Sequence, residues 1–253
     1  MQTSVIWRRA VALACVAMFA FTCAARAERL RVGAQMSGTL GWELAYLREK
    51  GLDKAAGLDL EIVDLATTEA GKVAIASGAV DVILSDWIWV ARQRSLGDKL
   101  VFSPYSSALG AVMVRGDAPV ASLRDLAGKS IGVAGGPIDK SWLMLRAFAK
   151  RDGVDLAAQT RPAYAAPPLI NQKTVAGELD AALQFWNFCV PLQAKGFRSL
   201  IEIVDVEKAL GARDAVALIG FVFKEDFAAM QADLIERFVE AARKAREAAA
   251  ADD

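Results

Sequence analysis

The chain has 253 residues, with 30 basic and 30 acidic side chains, so its formal net charge is zero and gives no electrostatic reason to expect nucleic acid or an anionic membrane surface as a partner. It contains three cysteines and no histidine, which removes the usual nitrogen and sulfur ligands of zinc and copper and every catalytic triad that depends on histidine. The composition therefore predicts a protein that is not an enzyme of those classes and that has no metal and no cofactor.

The first 27 residues have the pattern of a cleavable export signal. Arg8 and Arg9 precede an apolar stretch over residues 10–25, and small residues stand at the cleavage positions that end at Ala27. We expect cleavage after Ala27 and a periplasmic protein that starts at Glu28. Because the segment contains three arginines and no acidic residue, its removal would leave 226 of the 253 residues and a net charge of minus three.

The positions of the three cysteines indicate whether the mature chain can form a disulfide or carry a lipid anchor. Cys15 and Cys23 lie in the predicted signal, so Cys189 is the only cysteine of the mature chain and no intramolecular disulfide is expected. Phe21 and Thr22 before Cys23 fit a lipid-attachment site poorly, which favours a soluble periplasmic protein over a lipid-anchored one.

The first half of the mature chain alternates strands with helices, which is typical of an α/β protein with a mostly parallel sheet. The expected strands are 30–34, 58–65, 80–84 and 100–102. The expected helices are 40–54, one that begins at Thr67 or Thr68 and ends at Gly78, and 87–96.

The second half repeats this order after a change of rhythm between residues 103 and 126. The expected elements are an apolar segment at 111–114, a short capped helix at 122–126, a strand at 130–134, helices at 140–151 and 187–195, a short helix that ends at 174–177, a strand at 181–185 and an apolar return crossing at 215–223. A last helix would place Met230, Leu234, Phe238 and Ala242 on one apolar face. The predicted units are a first lobe at 28–110, a second lobe at 111–219 and a return segment at 220–253, with hinges near 108–111 and 216–220.

A spaced pattern occurs twice with an offset of 99 positions. It consists of glycine, aspartate, leucine and tryptophan, first as Gly78, Asp81, Leu84 and Trp87, then as Gly177, Asp180, Leu183 and Trp186. The same offset relates residues 32–34 to residues 131–133. One interpretation is a structural unit used twice, and the other is that this spacing is common turn chemistry before a strand.

These features together resemble bacterial periplasmic substrate-binding proteins of the nitrate, sulfonate and taurine type, a group that includes binders of thiamine pyrimidine precursors. The resemblance is carried by the export signal, by residues 30–33, 78–82 and 122–129, and by residues 177–188. It implies the periplasmic binding protein type II fold, with two Rossmann-like lobes and a ligand cleft between them. It also implies domain closure on binding and delivery of a small-molecule ligand by a monomer to an ABC permease and its ATPase, with peripheral membrane contact only.

Ligand-binding candidates in the first lobe follow from strand ends and helix starts, where ligands bind in open α/β sheets. The first group is Met36, Ser37, Gly38 and Thr39, whose backbone amides would face an anionic group as the helix begins; an ordinary strand-to-helix turn explains the same residues equally well. The second group is Ser85, Asp86 and Trp87, with Ser106 and Ser107 as weaker candidates. Asp86 or Ser85 acting only as a helix cap is the alternative there.

The second lobe offers a glycine-rich turn at Gly135, Gly136 and Pro137, and the pair Trp186 and Asn187. The turn resembles one that cradles an anion, but simple turn chemistry explains its two glycines equally well. In the family that the chain resembles, the second position of such a pair often carries an acid, and the neutral Asn187 would suit a ligand without a strong positive charge. Core packing is the alternative for Trp186. Lys140 is a weaker candidate to meet an acidic ligand. The remaining tryptophans on predicted helices, Trp42, Trp89 and Trp142, are assigned to packing.

The predicted function is capture of a small polar organic ligand, anionic or heterocyclic, for an ABC importer. Two other functions stay open on the residues alone. One is a binding lobe that reports to a membrane sensor, and the other is a periplasmic hydrolase that uses a serine with a carboxylate.

Overall fold

The computed structural model describes residues 28–252, which form two α/β lobes, each built around a five-stranded sheet. The predicted signal peptide, its cleavage site and Cys23 lie outside the described residues. Within residues 28–252, no helix combines the length and the apolar character that a membrane span needs.

The sheet of lobe 1 has the strand order β2-β1-β3-β10-β4. Strand β1 is parallel to β2 and β3, while β10 is antiparallel to both of its neighbours, β3 and β4. Its strands are β1 (Glu28–Ala34), β2 (Leu58–Asp64), β3 (Val82–Asp86), β4 (Leu100–Ser106) and β10 (Ile219–Lys224), and its helices are α1 (Thr39–Glu49), α2 (Leu52–Ala55), α3 (Thr68–Ser77), α4 (Trp87–Ser95), α10 (Glu225–Met230) and α11 (Ala232–Ala251).

Lobe 2 repeats this plan with the order β7-β6-β8-β5-β9, in which β5 is the antiparallel strand. The two α/β lobes are as predicted. Four strands of each sheet share one direction, but the inserted strand makes each sheet mixed. The elements of lobe 2 are β5 (Ala111–Arg115), β6 (Ser130–Ala134), β7 (Arg161–Ala165), β8 (Ala181–Gln184), β9 (Phe197–Glu202), a 3-10 helix (Leu123–Leu126), α5 (Lys140–Arg151), α6 (Leu156–Gln159), α7 (Pro167–Val175), α8 (Trp186–Gln193) and α9 (Ile203–Ala209).

The chain crosses between the lobes twice, over residues 107–110 and 210–218. Gly110 in the first crossing packs tightly, since a Cβ there would lie 1.6 Å from the Gln184 carbonyl oxygen. Its own carbonyl accepts the Ile203 N–H at 2.9 Å. The predicted limits of the first lobe (28–110), the second lobe (111–219) and the return segment (220–253) remain a proposal for the units that move relative to one another when a ligand binds.

The two copies of the repeated pattern occupy equivalent places in the two lobes. Gly78 and Gly177 both adopt positive φ, 77° and 78°, where glycine is favoured. The Asp81 carboxylate accepts the N–H of Arg31 at 2.9 Å, and the Asp180 carboxylate accepts the N–H of Ser130 at 2.7 Å. Each aspartate therefore stands directly before its own strand and ties it to the backbone of the neighbouring parallel strand, at the middle of β1 in lobe 1 and at the first residue of β6 in lobe 2.

The C-terminal helix α11 belongs to the core of lobe 1. Phe238 is fully buried and lies edge-to-face on Phe221 with a centroid distance of 5.0 Å, and Phe221 meets Tyr105 in the same way at 5.1 Å. Arg246 on the same helix donates to both carboxylate oxygens of buried Glu43, at 3.1 and 3.0 Å. Helix α11 thus closes one face of the sheet.

Three sequence predictions about elements and packing are wrong in instructive ways. The single helix expected over 40–54 is two helices, because Gly51 between them has φ 67°. Met230 ends α10, before α11 begins, and is 74% exposed, so it is not on the apolar face with Phe238. Trp42 is 52% exposed on α1 and not a packing residue, whereas Trp89 and Trp142 are buried as predicted.

Two strands have no counterpart in the predicted elements. Strand β7 pairs with β6 at one edge of its sheet, and β9 pairs with β5 at the other. Both have mostly half-exposed side chains, so neither shows a strong apolar pattern. Pro162 lies in the edge strand β7, where an absent N–H is tolerated.

Candidate functional site

A cleft of about 130 Å³ lies between the lobes, where strands of both sheets end and helices begin. Cavities of similar volume hold a small ring such as benzene. Both lobes and the first crossing contribute to its lining, and Ile219 at the start of β10 borders it as well. The polar lining includes Gln35, Thr39, Thr67, Thr68, Ser85, Asp86, Tyr105, Ser106, Asp139, Lys140, Ser141 and Asn187.

The start of helix α1 forms one wall in lobe 1. Gly38 stands at the N-cap position, and no side chain caps the first backbone amides. Such amides carry a partial positive charge and are available to an anion or another acceptor. Gly38 and Thr39 line the cleft, whereas Met36 and Ser37 are exposed beside it.

The end of strand β3 places a serine and an aspartate at the floor of the cleft. Ser85 and Asp86 are 5% and 4% exposed. The Asp86 Oδ1 atom accepts the Trp89 N–H at 2.7 Å and caps helix α4, while the Ser85 hydroxyl is buried without a hydrogen-bond partner in the described chain. Burial has the largest effect on the pKa of Asp86 and raises it, whereas the positive charge of Lys140 lowers it. Asp86 is therefore both the cap that the alternative interpretation expected and a residue of the cleft wall.

The start of helix α5 faces this floor from lobe 2. Asp139 is 2% exposed, and its Oδ1 atom accepts the Ser141 N–H at 2.8 Å. Lys140 is 5% exposed, with Nζ 3.7 Å from Asp139 Oδ2 and 4.9 Å from the centre of the Phe185 ring. An ammonium over an aromatic face is held by the electrostatic attraction of the ring.

The start of helix α8 completes the lobe 2 wall. No side chain caps this helix, whose first residues are Trp186 and Asn187. Trp186 is 42% exposed and lines the cleft. The Asn187 Nδ2 atom donates to the Ser37 carbonyl at 3.5 Å, a contact between the two lobes at the cleft rim. A second close approach brings Glu69 of α3 against Gly136, where a Cβ would lie 2.9 Å from the Glu69 Oε1 atom.

The structure brings eight of the residues predicted from sequence into the cleft lining and leaves seven outside it. Those that line it are Gly38, Thr39, Ser85, Asp86, Ser106, Lys140, Trp186 and Asn187; those outside are Met36, Ser37, Trp87, Ser107, Gly135, Gly136 and Pro137. Trp87 occupies the place equivalent to Trp186 and is 41% exposed, but it does not border the cavity. Gly135 and Gly136 both have positive φ and pack closely against Asp139 and Glu69, so they form a tight turn. Ligand contact by any of these residues stays a prediction.

The sequence predictions missed several residues that line the cleft. Thr67 was predicted only as a helix cap, and its hydroxyl accepts the Ala70 N–H at 3.1 Å, but it also borders the cavity. Tyr105, Phe185 and Phe188 are the missed aromatic residues, and Asp139 is the missed carboxylate. The signal for Asp139 was its position directly before a predicted helix, which is typical of a capping aspartate.

The comparisons agree with this architecture. The family model described as NMT1/THI5 like matches residues 44–253. The alkanesulfonate-binding protein SsuA of Xanthomonas axonopodis pv. citri, bound to MOPS, is 18% identical over 86% of this chain and 72% of that protein, with a TM-score of 0.67. The periplasmic aliphatic sulphonate binding protein SsuA of Escherichia coli is 20% identical over the same shares, with a TM-score of 0.63.

A third structure extends the likeness in fold. The ligand-binding component of an ABC-type import system from Staphylococcus aureus is 13% identical over 86% of this chain and 73% of that protein, with a TM-score of 0.65. A search of curated proteins found no match. At these identities the solved structures show the shared fold.

Proposed function

The chain belongs to the NMT1/THI5-like family, and we propose that it is the extracytoplasmic solute-binding component of an ABC importer. In this proposal the protein is a periplasmic monomer that is exported by a cleaved signal. It captures a small polar organic ligand and delivers it to a membrane permease and its ATPase. The observation that carries the proposal is the cleft between the two lobes, lined from both sides by helix starts and by buried polar groups.

The cleft chemistry supports binding of a ligand that combines polar and flat or apolar parts. Helices α1 and α8 begin at the cleft without side-chain caps, so their first amides are free to donate to a ligand acceptor. Trp186 and Phe185 supply aromatic surface beside these amides. A small anionic or heterocyclic molecule would be held by backbone hydrogen bonds and by stacking.

Closure of the lobes is the proposed mechanism. The chain crosses between the lobes through two short links, which is the arrangement that permits hinge closure around a ligand. Contacts such as that between Asn187 and Ser37 would form only when the lobes approach. A ligand that touches both walls would therefore stabilise the closed form that the permease recognises.

A thermal-shift screen with calorimetric follow-up tests this proposal. The panel holds sulfonates, nitrate, pyrimidines, aromatic acids and other small metabolites, and a ligand that binds the native state raises the melting temperature by mass action. We expect at least one compound to bind with one site per chain, and its binding to weaken in Trp186→Ala.

The matched control is Trp42→Ala, because Trp42 is also a half-exposed tryptophan at the beginning of a helix but does not line the cleft. Binding that survives Trp186→Ala as well as Trp42→Ala would place the ligand elsewhere. A folded protein that binds nothing in the panel would contradict the importer proposal and favour a sensor role.

A further inference from the structure

The charged side chains that line the cleft carry an excess of negative charge. Within residues 28–252 they are Asp86 from lobe 1 and Asp139 and Lys140 from lobe 2, so two carboxylates face one ammonium. Each of the three is at least nine-tenths buried. Little water can screen these groups from one another, so an excess of one negative charge acts strongly on anything bound between them.

Each carboxylate uses one oxygen for local structure and leaves the other to the cleft. The Oδ1 atoms of Asp86 and Asp139 accept the backbone N–H groups that begin helices α4 and α5. Among the described residues no hydrogen bond reaches the Oδ2 atom of either aspartate, and Lys140 Nζ is 3.7 Å from that of Asp139. Neither Oδ2 atom is itself among the fully buried atoms, so each retains accessible surface. Because the aspartates around these oxygens are almost completely buried and little water reaches them, a donor from a ligand would be favoured there.

A second polar group at the same place lacks a partner. The Ser85 hydroxyl, next to Asp86 in the chain, is buried and makes no hydrogen bond in the described chain. A hydroxyl oxygen accepts from an N–H group as well as donating. The floor of the cleft therefore offers two acceptors, one of them ionised, to a ligand group that donates.

On the premise of the proposed function, we propose that the cleft selects small molecules that carry a protonated amine or a similar cationic N–H group, and that Asp86 recognises this group. Such a group neutralises the excess charge and supplies the donor that Asp86 Oδ2 lacks. A molecule that has only an anionic group would place a further negative charge beside two buried carboxylates. The specificity is thus set against simple anions.

Matched ligand pairs test the selectivity directly by calorimetry. Taurine is compared with ethanesulfonate and β-alanine with propionate, because the members of each pair differ only in an amino group that is protonated at neutral pH. We expect the amino compound to bind at least about tenfold more tightly in each pair that binds, as is typical when a buried charge gains its partner.

The Asp86→Asn variant tests whether Asp86 is the residue that causes the preference for amino compounds. Asparagine caps helices about as well as aspartate, so the substitution removes the charge and keeps the fold. We expect the amino compound to lose at least about tenfold in affinity while its partner without the amine binds as well as or better than before. Asp155→Asn is the matched control, since Asp155 caps helix α6 in lobe 2 and does not line the cleft.

The outcomes separate this inference from the proposed function. Tighter binding of the compounds without an amine, an unchanged preference in Asp86→Asn, or no binding by any amino compound would overturn the inference. If other members of the broad screen still bind in a Trp186-dependent manner, the solute-binding role stands and only the ligand class is wrong. If nothing binds at all, both fail.

Discussion

Replacement of Arg246 by methionine gives the sharpest test of how helix α11 is held on lobe 1. The Arg246 guanidinium donates to both oxygens of Glu43, which is 6% exposed and also accepts the Tyr105 hydroxyl at 2.8 Å. Loss of one partner of a buried ion pair typically costs about 3–5 kcal/mol, because the other charge is left without compensation. The Arg246 side chain is 34% exposed, so solvent screens part of this effect and we expect a loss of about 2 kcal/mol.

The loss should depend on pH in a defined direction. Burial raises the pKa of Glu43, and Arg246 and Tyr105 oppose this rise, so removal of Arg246 should raise the pKa further. When the pKa of a carboxyl group is higher in the folded state than in the unfolded state, the folded protein binds the proton more tightly. The contribution of that group to stability then falls as the pH rises from the unfolded pKa of 4.5 through the folded pKa. The cost of Arg246→Met should therefore be small near pH 4.5 and reach its full size around pH 8.

Urea unfolding at several pH values measures this cost, and Arg243→Met is the matched control. Arg243 lies on the same helix and pairs with Glu240 and Glu247, but it is exposed, so we expect no measurable change. Glu43→Gln in the Arg246→Met background removes the stranded charge and should recover stability at pH 8. Equal, pH-independent losses in Arg246→Met and Arg243→Met would show that the pair between Arg246 and Glu43 does not hold α11 on lobe 1.

Three further predictions concern stability and reactivity. Phe238→Ala should lower the free energy of unfolding by about 4 kcal/mol in urea titrations, because it removes a fully buried aromatic side chain. Met230→Ala on the surface should leave the unfolding midpoint unchanged. Similar losses in both variants would contradict the assignment of α11 to the core of lobe 1. Burial raises the pKa of Cys189 to about 11, so a thiol reagent at pH 8 should label it only as fast as the protein unfolds, and rapid labelling of the native protein would contradict its buried position. Asp81→Ala should cost about 2 kcal/mol in chemical denaturation and more than Asp180→Ala, because the Asp81 carboxylate also accepts the Arg31 guanidinium and is less exposed than that of Asp180. The reverse order would contradict the stabilising role of the Arg31 pair.

Local patterns made much of the fold predictable. The aspartate of each repeat copy accepts a backbone N–H of a neighbouring parallel strand, and the glycine three residues earlier adopts positive φ. The spacing therefore reflects a backbone requirement that recurs in both lobes. The helix over 140–151 was predicted with its observed limits, because an aspartate stands before it and basic residues end it. Met230 was misassigned because its spacing suits the apolar face of α11, although a break at Gln231 separates the two helices.

The cleft was predictable only in part, because its composition depends on how two lobes face each other. Ser85, Asp86, Trp186 and Asn187 follow directly from strand ends, and the structure places all four at the cleft. The sequence could not show that Asp86 of one lobe would share a buried space with Asp139 of the other, since they lie 53 positions apart with a lobe crossing between them. Trp87 and Trp186 have the same local pattern, yet only Trp186 borders the cavity, and that difference arises from packing between the lobes.

Hydrogen exchange with and without a ligand found in the screen shows whether a solute is held between the two lobes. We expect simultaneous protection of the amides that begin α1 in lobe 1 and of those that begin α5 and α8 in lobe 2, with little change on the outer faces of either lobe. Protection confined to one lobe, or centred on a surface away from the cleft, would contradict it.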